Sequence, residues 1–193
     1  MFKKKKETKT PVERYLAQLD RMFQKGPQFY PVESSDPALS SVTNIVYSGI
    51  PEKNMTTALT YGLSLAEHPD WKQGRLELIL TVESTDDAWK TVAGYVAERL
   101  RGNCPFSYSN TINFGEKIAD DSDMDAFLVF APGILERKDF LDIDVGCDYH
   151  LNLVGLYPIY ASEMKLIDEW GLKKFWHHPD WDLFSVRRSP IEG

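Results

Sequence analysis

The stretch Arg75–Val82, RLELILTV, sets the fold class. Leu76, Leu78 and Leu80 alternate with Glu77, Ile79 and Thr81, the period of two at which side chains change sides of a β-strand. The alternation predicts a strand with one face in the core. Upstream, VTNIVYSGI (42–50) is rich in β-branched residues and closed by Gly49 and Pro51, and TTALTYGLS (56–64) reads as a further strand. Downstream, Ser84 and Thr85 precede Asp86 and Asp87, and Trp89, Val92, Ala93, Val96 and Leu100 then recur at helical spacing as far as Gly102. This pattern is a capped amphipathic helix with acids at the positive end of its dipole.

The flanking segments extend the same alternation of strands and helices. From Pro11, the residues Val12, Tyr15, Leu16, Leu19, Met22 and Phe23 place one apolar stripe on a helix ending near Gly26-Pro27. Residues 27–41 carry three prolines and no lasting period, which predicts an ordered loop with Phe29 and Tyr30 packed back onto the domain. Beyond Cys104-Pro105, the segments MDAFLVFAP (124–132), FLDIDVG (140–146) and YHLNLVGLYPIY (149–160) read as strands, the last two as a hairpin. Ser162 is placed to cap a helix through Trp170. Gly171 interrupts it, a short helix follows through Phe175-Trp176, and LFSVRR (183–188) closes as a strand. The expectation is an α+β fold with a mainly antiparallel mixed sheet wrapped by helices. Residues 1–10 are expected to form a flexible basic tail and 11–193 one globular domain.

Composition excludes several classes of function. A chain of 193 residues with 42% hydrophobic and 26% charged content can bury one sizeable core. A net charge of -7 disfavours a sequence-independent grip on nucleic acid and suits a basic protein partner. Two cysteines, Cys104 and Cys147, are too few for a disulfide framework or a tetrahedral zinc site, so free thiols in a reducing cytoplasm are expected. MFKKKKETKT has no apolar segment after its lysines, so it is not a secretory signal, and no stretch has membrane-spanning length.

Candidates for chemistry fall away on spacing. His177, His178, Asp180 and Asp182 include good metal ligands, but adjacent histidines on a helix point roughly a hundred degrees apart. Asp121, Asp123 and Asp125 alternate as in the first half of a calcium loop, yet Ala126 stands where glycine is needed and Pro132 where a bidentate glutamate belongs. No nucleophile elbow or phosphate loop occurs, and Cys104 and Cys147 lack any motif that would activate them. No cofactor is expected. The tetrapeptide HPDW occurs at 68–71 and again at 178–181, and each copy reads as a turn into a strand. Of the five tryptophans, Trp89 and Trp170 belong to helix core faces, while Trp71 and Trp181, beside turns, stay open to packing or a partner contact.

In their order, TYGLSL (60–65), RLELILTV, AERLRG (97–102), FLVFAP (127–132), VGLYPIY (154–160), SEMKLIDEWG (162–171) and FSVRR (184–188) resemble the Suppressor of fused domain, from about Thr43 to Arg188. The resemblance implies a mixed sheet wrapped by helices, no catalysis, and a binding role. The animal relative clamps an extended peptide at a sheet edge, and its larger C-terminal part has no counterpart here, which implies a single-domain bacterial form. Bacterial members accompany toxins and look like immunity proteins, so the resemblance implies a basic toxin domain, such as a nuclease, as the partner. Charge and aromaticity nominate Glu116, Asp120, Asp121, Asp123, Asp125, Trp71 and Trp181 as the partner-binding set. The alternatives are a metal-dependent hydrolase using His177, His178 and Asp180, and a self-associating module.

Overall fold

The computed structural model describes residues 9–193. The expected basic tail lies, up to Thr8, outside the described residues. Helix α1, Pro11–Phe23, follows the expected stripe, with Tyr15, Leu19 and Phe23 buried. A reciprocal cap starts it: the Thr10 amide donates to Glu13 Oε2 at 2.7 Å, and the Glu13 amide donates to Thr10 Oγ1 at 3.4 Å. Strand β1, Gln28–Val32, corrects the expected loop, for it pairs antiparallel with β2, Val42–Ser48. Pro31 obscured it in the sequence, because a residue without an N–H suits only the edge of a sheet, and β1 is such an edge. Phe29 does not pack back but is 53% exposed.

Strand β3, Thr56–Tyr61, is shorter than expected, since Leu63–Leu65 form a 3-10 turn. Strand β4 is Arg75–Val82. The next helix opens with a 3-10 turn, Asp87–Lys90, before α2, Val92–Leu100, and its cap is Asp86, whose Oδ1 accepts the Ala88 amide at 2.8 Å. Strand β5, Thr111–Asn113, was too short to leave a period, and β6, Ala126–Phe130, follows it. A single turn α3, Arg137–Phe140, leads to β7, Ile143–Asp144, which pairs antiparallel with β8, His150–Ile159, as the expected hairpin. Helix α4 runs Ala161–Trp170 and α5 Leu172–Trp176. Ser162 lies inside α4 and does not cap it. The Tyr160 amide donates to Glu163 Oε2 at 2.9 Å and the Ala161 amide to Asp125 Oδ1 at 2.6 Å. LFSVRR is not a strand; one backbone bond, from the Glu83 amide to Phe184 O at 2.8 Å, ties it to the end of β4.

The strands form one sheet in the order β1-β2-β3-β4-β8-β6-β5, with β7 also on β8. Among the described residues every pairing is antiparallel except β4 with β8, which join in parallel from Arg75–Leu151 to Leu80–Leu156. Both faces of this centre are covered, so the expectation that only one face of β4 is core was too narrow. Leu78, Leu80 and Val82 pack with α2, Val154, Leu156, Phe127 and Val129. On the reverse, Ile79 lies with Tyr15, Leu19, Ile45, Leu59 and Leu153 under α1, while Leu128, Tyr157 and Ile159 meet α4 and α5. Helix α2 approaches β2 through Gly94, where a Cβ would collide with Asn44 Nδ2 and where the Gly94 amide donates to Asn44 Oδ1 at 2.6 Å. No helix of the described residues is long and apolar enough to cross a membrane.

Glu77 is wholly buried. Its Oε2 accepts the Thr60 hydroxyl at 2.6 Å, and Oε1 accepts the Gly62 amide at 2.9 Å, the Ser64 amide at 3.1 Å and the Ser64 hydroxyl at 2.7 Å. Beside it, Arg75 Nη1 donates to Ser64 O at 3.0 Å. Gly62 sits at φ +130, and a Cβ there would meet Ser41 O and Val42 Cα at 2.9 Å. Glu77 thus replaces the strand pairing that β3 gives up at its end. A second buried carboxylate, Glu163, takes Arg188 Nη1 at 2.5 Å, Arg188 Nη2 at 2.7 Å and the Ile191 amide at 2.8 Å, and anchors the C-terminal segment.

Burial raises the Glu77 carboxyl above its ordinary value, and the four donors only partly offset this. A folded-state pKa above the unfolded one means that this group favours folding most below about 4.5, and that the benefit is lost as pH rises through the raised value. Denaturant titrations should therefore show the stability of the natural protein relative to Glu77→Gln rising as pH falls through the raised value toward about 4.5. A pH-independent difference would refute the raised pKa. Glu77→Ala, which leaves the Gly62 and Ser64 amides unpaired, should cost on the order of 3 kcal/mol.

Candidate functional site

On β8, strand β6 pairs with residues 155–159 and β7 with 150–151, and β4 holds the opposite edge. Asn152, Leu153 and Val154 therefore have no strand partner on that side among the described residues. A hollow of about 450 Å³ opens over them, lined also by Trp71, Leu76, Pro105, Phe106, Tyr108, Arg137 and Leu141. The first HPDW copy places Trp71, since the Trp71 amide closes a turn on His68 O at 3.1 Å. The indole Nε1 donates to Pro105 O at 2.8 Å, which fixes the ring as one wall. Tyr108 is 45% exposed and packs edge-on to Phe130, with ring centres 5.1 Å apart. Asn152 spans the floor: its Oδ1 accepts the Asp142 amide and its Nδ2 donates to Gln73 O, each at 2.8 Å.

Across Trp71–Gly74 lies a more polar hollow of about 650 Å³, with Glu67, His68, Arg75, Asp142, Asp148, Tyr149 and His150. There the Arg75 guanidinium stacks 4.1 Å above the Tyr149 ring and meets Glu67 at 2.5 Å. Burial raises the Tyr149 hydroxyl, so it is a neutral hydrogen-bonding group at physiological pH. The two hollows join an aromatic, apolar floor to a polar rim, the combination found where a peptide side chain is gripped and its orientation read.

The residues nominated from the sequence are not brought together in one cluster. Trp71 belongs to this cleft, and Glu116, Asp120 and Asp123 are exposed on the β5–β6 connection, where Lys117 pairs with Asp123. Asp121 turns inward instead. It accepts the Ser84 hydroxyl at 2.7 Å, Trp89 Nε1 at 2.9 Å and Arg187 Nη2 at 3.0 Å. Burial pushes its carboxyl up, but the Ser84 and Trp89 bonds together with Arg187 outweigh that and hold it below the usual range. Asp125 holds the first amide of α4. Trp181 packs on Phe175 and Trp176 with Arg188 over its ring at 4.7 Å, in the cluster beneath α4 and α5. Tyr108, Leu141 and Asn152 went unnoticed in the sequence because they come from separate segments that carry no motif.

The histidine cluster is spent on local structure. His177 Nδ1 lies 2.7 Å from Lys173 O, and His178 stacks on Trp170 while its Nδ1 accepts the Asp180 amide at 3.3 Å. The second HPDW copy repeats the first turn, with the Trp181 amide on His178 O at 3.0 Å, but no strand follows it. Among the described residues no group of three or more His, Cys, Asp or Glu side chains is arranged to hold a metal, so nothing in the geometry favours the hydrolase alternative. Cys104 and Cys147 are free thiols, and burial pushes that of Cys104 up, away from nucleophilic use.

A family model described as Suppressor of fused protein (SUFU) matches residues 40–189. No curated protein matches the sequence. Among solved structures, a SUFU (suppressor of fused protein) homolog from Neisseria gonorrhoeae superposes with a TM-score of 0.68 at 14% identity, covering 92% of this chain and 94% of that one. A chain of the Sufu-Fu complex superposes with a TM-score of 0.65 at 13% identity, covering 94% and 92%. Drosophila Suppressor of Fused superposes with a TM-score of 0.63 at 12% identity, covering 93% of this chain and 50% of that one. These likenesses are of fold.

Asp121→Ala should destabilise the protein by about 1–3 kcal/mol, because the buried Trp89 indole and Ser84 hydroxyl lose their acceptor. Neutralising Glu116, Asp120 and Asp123 together should stay within about 0.5 kcal/mol of the natural protein. Urea denaturation of both variants checks this division, and equal effects would overturn it.

Proposed function

Since the chain belongs to the Suppressor of fused family, we propose that it is a protein-binding domain that grips an extended segment of its partner in the Trp71 cleft and blocks that partner's functional surface. The observation that carries the reading is the stretch Asn152–Val154 of β8, held by β4 on one edge and without a strand partner among the described residues on the other, which lies under an apolar hollow walled by Trp71 and Tyr108. An extended peptide laid there gains main-chain bonds from the strand and side-chain contacts from the aromatic walls. The solved relative in complex with Fu supports binding of a protein rather than catalysis.

We further propose that the partner is a basic toxin domain and that the chain acts as its immunity protein. The acidity of the chain supports this, with 29 acidic against 22 basic residues. Glu116, Asp120 and Asp123 then act at long range, raising the encounter rate with a cationic partner, while Trp71 supplies the short-range grip and Trp181 a further contact. A toxin with a basic nuclease cleft offers the matching surface.

Sequencing the genes beside this one in its native host, and co-expressing the chain with any toxin-like domain found there, tests the biological role: rescue of growth supports it, and the lack of such a gene, or killing despite a folded, expressed protein, refutes it. For the cleft, Trp71→Ala and Tyr108→Ala should each weaken calorimetrically measured partner binding by at least about 30-fold, as expected of central aromatic anchors. Neutralising Glu116, Asp120 and Asp123 should slow association at low salt and leave dissociation unchanged. Unaltered affinity in both aromatic variants would exclude the cleft.

A further inference from the structure

The sheet ends on β1 at one side and on β5 at the other, and the two edges differ. Pro31 leaves β1 short of one N–H, a common way to close an edge to further strands. Strand β5 has no such residue. The Phe114 amide donates to Asp125 O at 2.8 Å and the Val129 amide to Asn110 O at 2.9 Å, so residues 110, 112 and 114 turn their main-chain groups to β6. Thr111 and Asn113 turn theirs away from the sheet, and among the described residues these groups meet no main-chain partner. The edge is also uncovered, for Thr111 and Ile112 are half-buried and Asn113 is exposed.

Side chains flank this edge on the α2 side. Ile112 and Phe114 lie against the core under α2, and Tyr95 of α2, 44% exposed, packs edge-on to Phe114 with ring centres 5.7 Å apart. An apolar shelf therefore borders the strand, with an aromatic ring at its Phe114 end. In the connection beyond, Glu116, Asp120 and Asp123 are exposed and share one lysine, since Lys117 pairs with Asp123 and no base lies within ion-pair distance of Glu116 or Asp120 among the described residues. Of the neighbouring bases, Arg187 is held by Asp121, Arg99 lies one helical turn beyond Tyr95, and Arg137 lines the cleft with Tyr108, before the other end of β5. Carboxylates thus dominate the Asn113 end of the edge.

We infer that the β5 edge adds a strand from a protein partner, an extended segment that begins with basic residues and continues with alternating apolar and small polar ones. This rests on the reading of the chain as a protein-binding domain, and on neither the Trp71 cleft nor the toxin. Thr111 and Asn113 supply the main-chain bonds. In antiparallel pairing the first residues of the segment lie beside Asn113 and the connection after it. A basic side chain there covers Tyr95 and pairs with Glu116 or Asp120, and the apolar side chains cover Ile112 and Phe114. With three paired residues β5 is too short to template indiscriminate association, so the ring and the carboxylates select the segment. A second copy of this chain fits less well, because the residues before its own β5, Ser107–Asn110, carry no base.

The test is fluorescence anisotropy with the full chain and a labelled hexapeptide, Arg-Lys-Val-Thr-Val-Thr. Saturable binding is expected, and Gln-Gln-Val-Thr-Val-Thr should bind about tenfold more weakly or worse. Asn113→Pro removes an outward N–H and no bond within the sheet, so it should weaken binding by about tenfold or more while the urea midpoint stays where it is. Methylating the amide nitrogens of both valines, or of both threonines, needs no variant of the protein: one analogue should lose binding and the other keep it, because N–H groups alternate sides along a strand. Trp71→Ala should bind the peptide as the natural protein does, so failure of the edge and failure of the cleft are told apart. The inference is overturned by no saturation at millimolar protein, by equal affinity for the glutamine peptide, by unaltered affinity in Asn113→Pro, by equal behaviour of the two methylated peptides, or by loss of binding in Trp71→Ala. A dimer in light scattering that Asn113→Pro dissociates would assign the edge to a second copy and equally overturn it.

Discussion

One buried carboxylate at the centre of the sheet constrains the rest of the structure. Glu77 lies on β4 with its charge removed from water, and an ion there is tolerable only if every lone pair is answered. The answers come from β3 and from the turn that follows it, through Thr60, Gly62 and Ser64. The turn is thereby held against the sheet, and Arg75 fastens it from its carbonyl side at Ser64. Because β4 also forms the only parallel pairing among the described residues, with β8, this junction sets where both central strands begin. The cleft over Asn152–Val154 opens beside it, so the geometry of the candidate site descends from the same carboxylate.

The same device recurs at the periphery. Glu163 receives Arg188 and the Ile191 amide, Asp121 receives Ser84, Trp89 and Arg187, and Arg101 reaches Ser40 O at 2.7 Å. Each charged group holds a loop or terminal segment that lacks regular pairing of its own. The C-terminal segment is the clearest case. It forms no strand, yet Val186 and Ile191 are buried, because Glu163 and the Ser122 hydroxyl, at 2.7 Å from Val186 O, fix its backbone. Satisfying a buried charge with donors distant in sequence is costly to disturb and therefore specifies position.

Several elements are legible in the sequence, and the reasons differ. Helix α1 and strands β2, β3, β4, β6 and β8 carry long, regular apolar periods, and such periods survive whatever the tertiary context. Strand β1 was hidden by Pro31, β5 and α3 by their brevity, and the closing LFSVRR segment by β-like composition that its anchoring overrode. For the site, Trp71 was found because a turn tryptophan is conspicuous. Asp121 and Asp125 were grouped with their exposed neighbours because sequence distance cannot show which carboxylate turns inward. The two HPDW copies form the same turn but lie in different surroundings, one walling a cleft and the other packed beneath α4 and α5.

By itself the sequence determined the class of fold, the principal strands and helices, the acidity and the family, since all of these are properties of local pattern and of ordered short motifs. The tertiary structure alone decided that both faces of β4 are core, that β4 and β8 run parallel, that two of five neighbouring acids are internal, and that Tyr108, Asn152 and Leu141 meet around Trp71. Those outcomes depend on which segments lie side by side. That choice is made by burial and by the pairing of buried polar groups over the whole chain, and no local window of residues contains it.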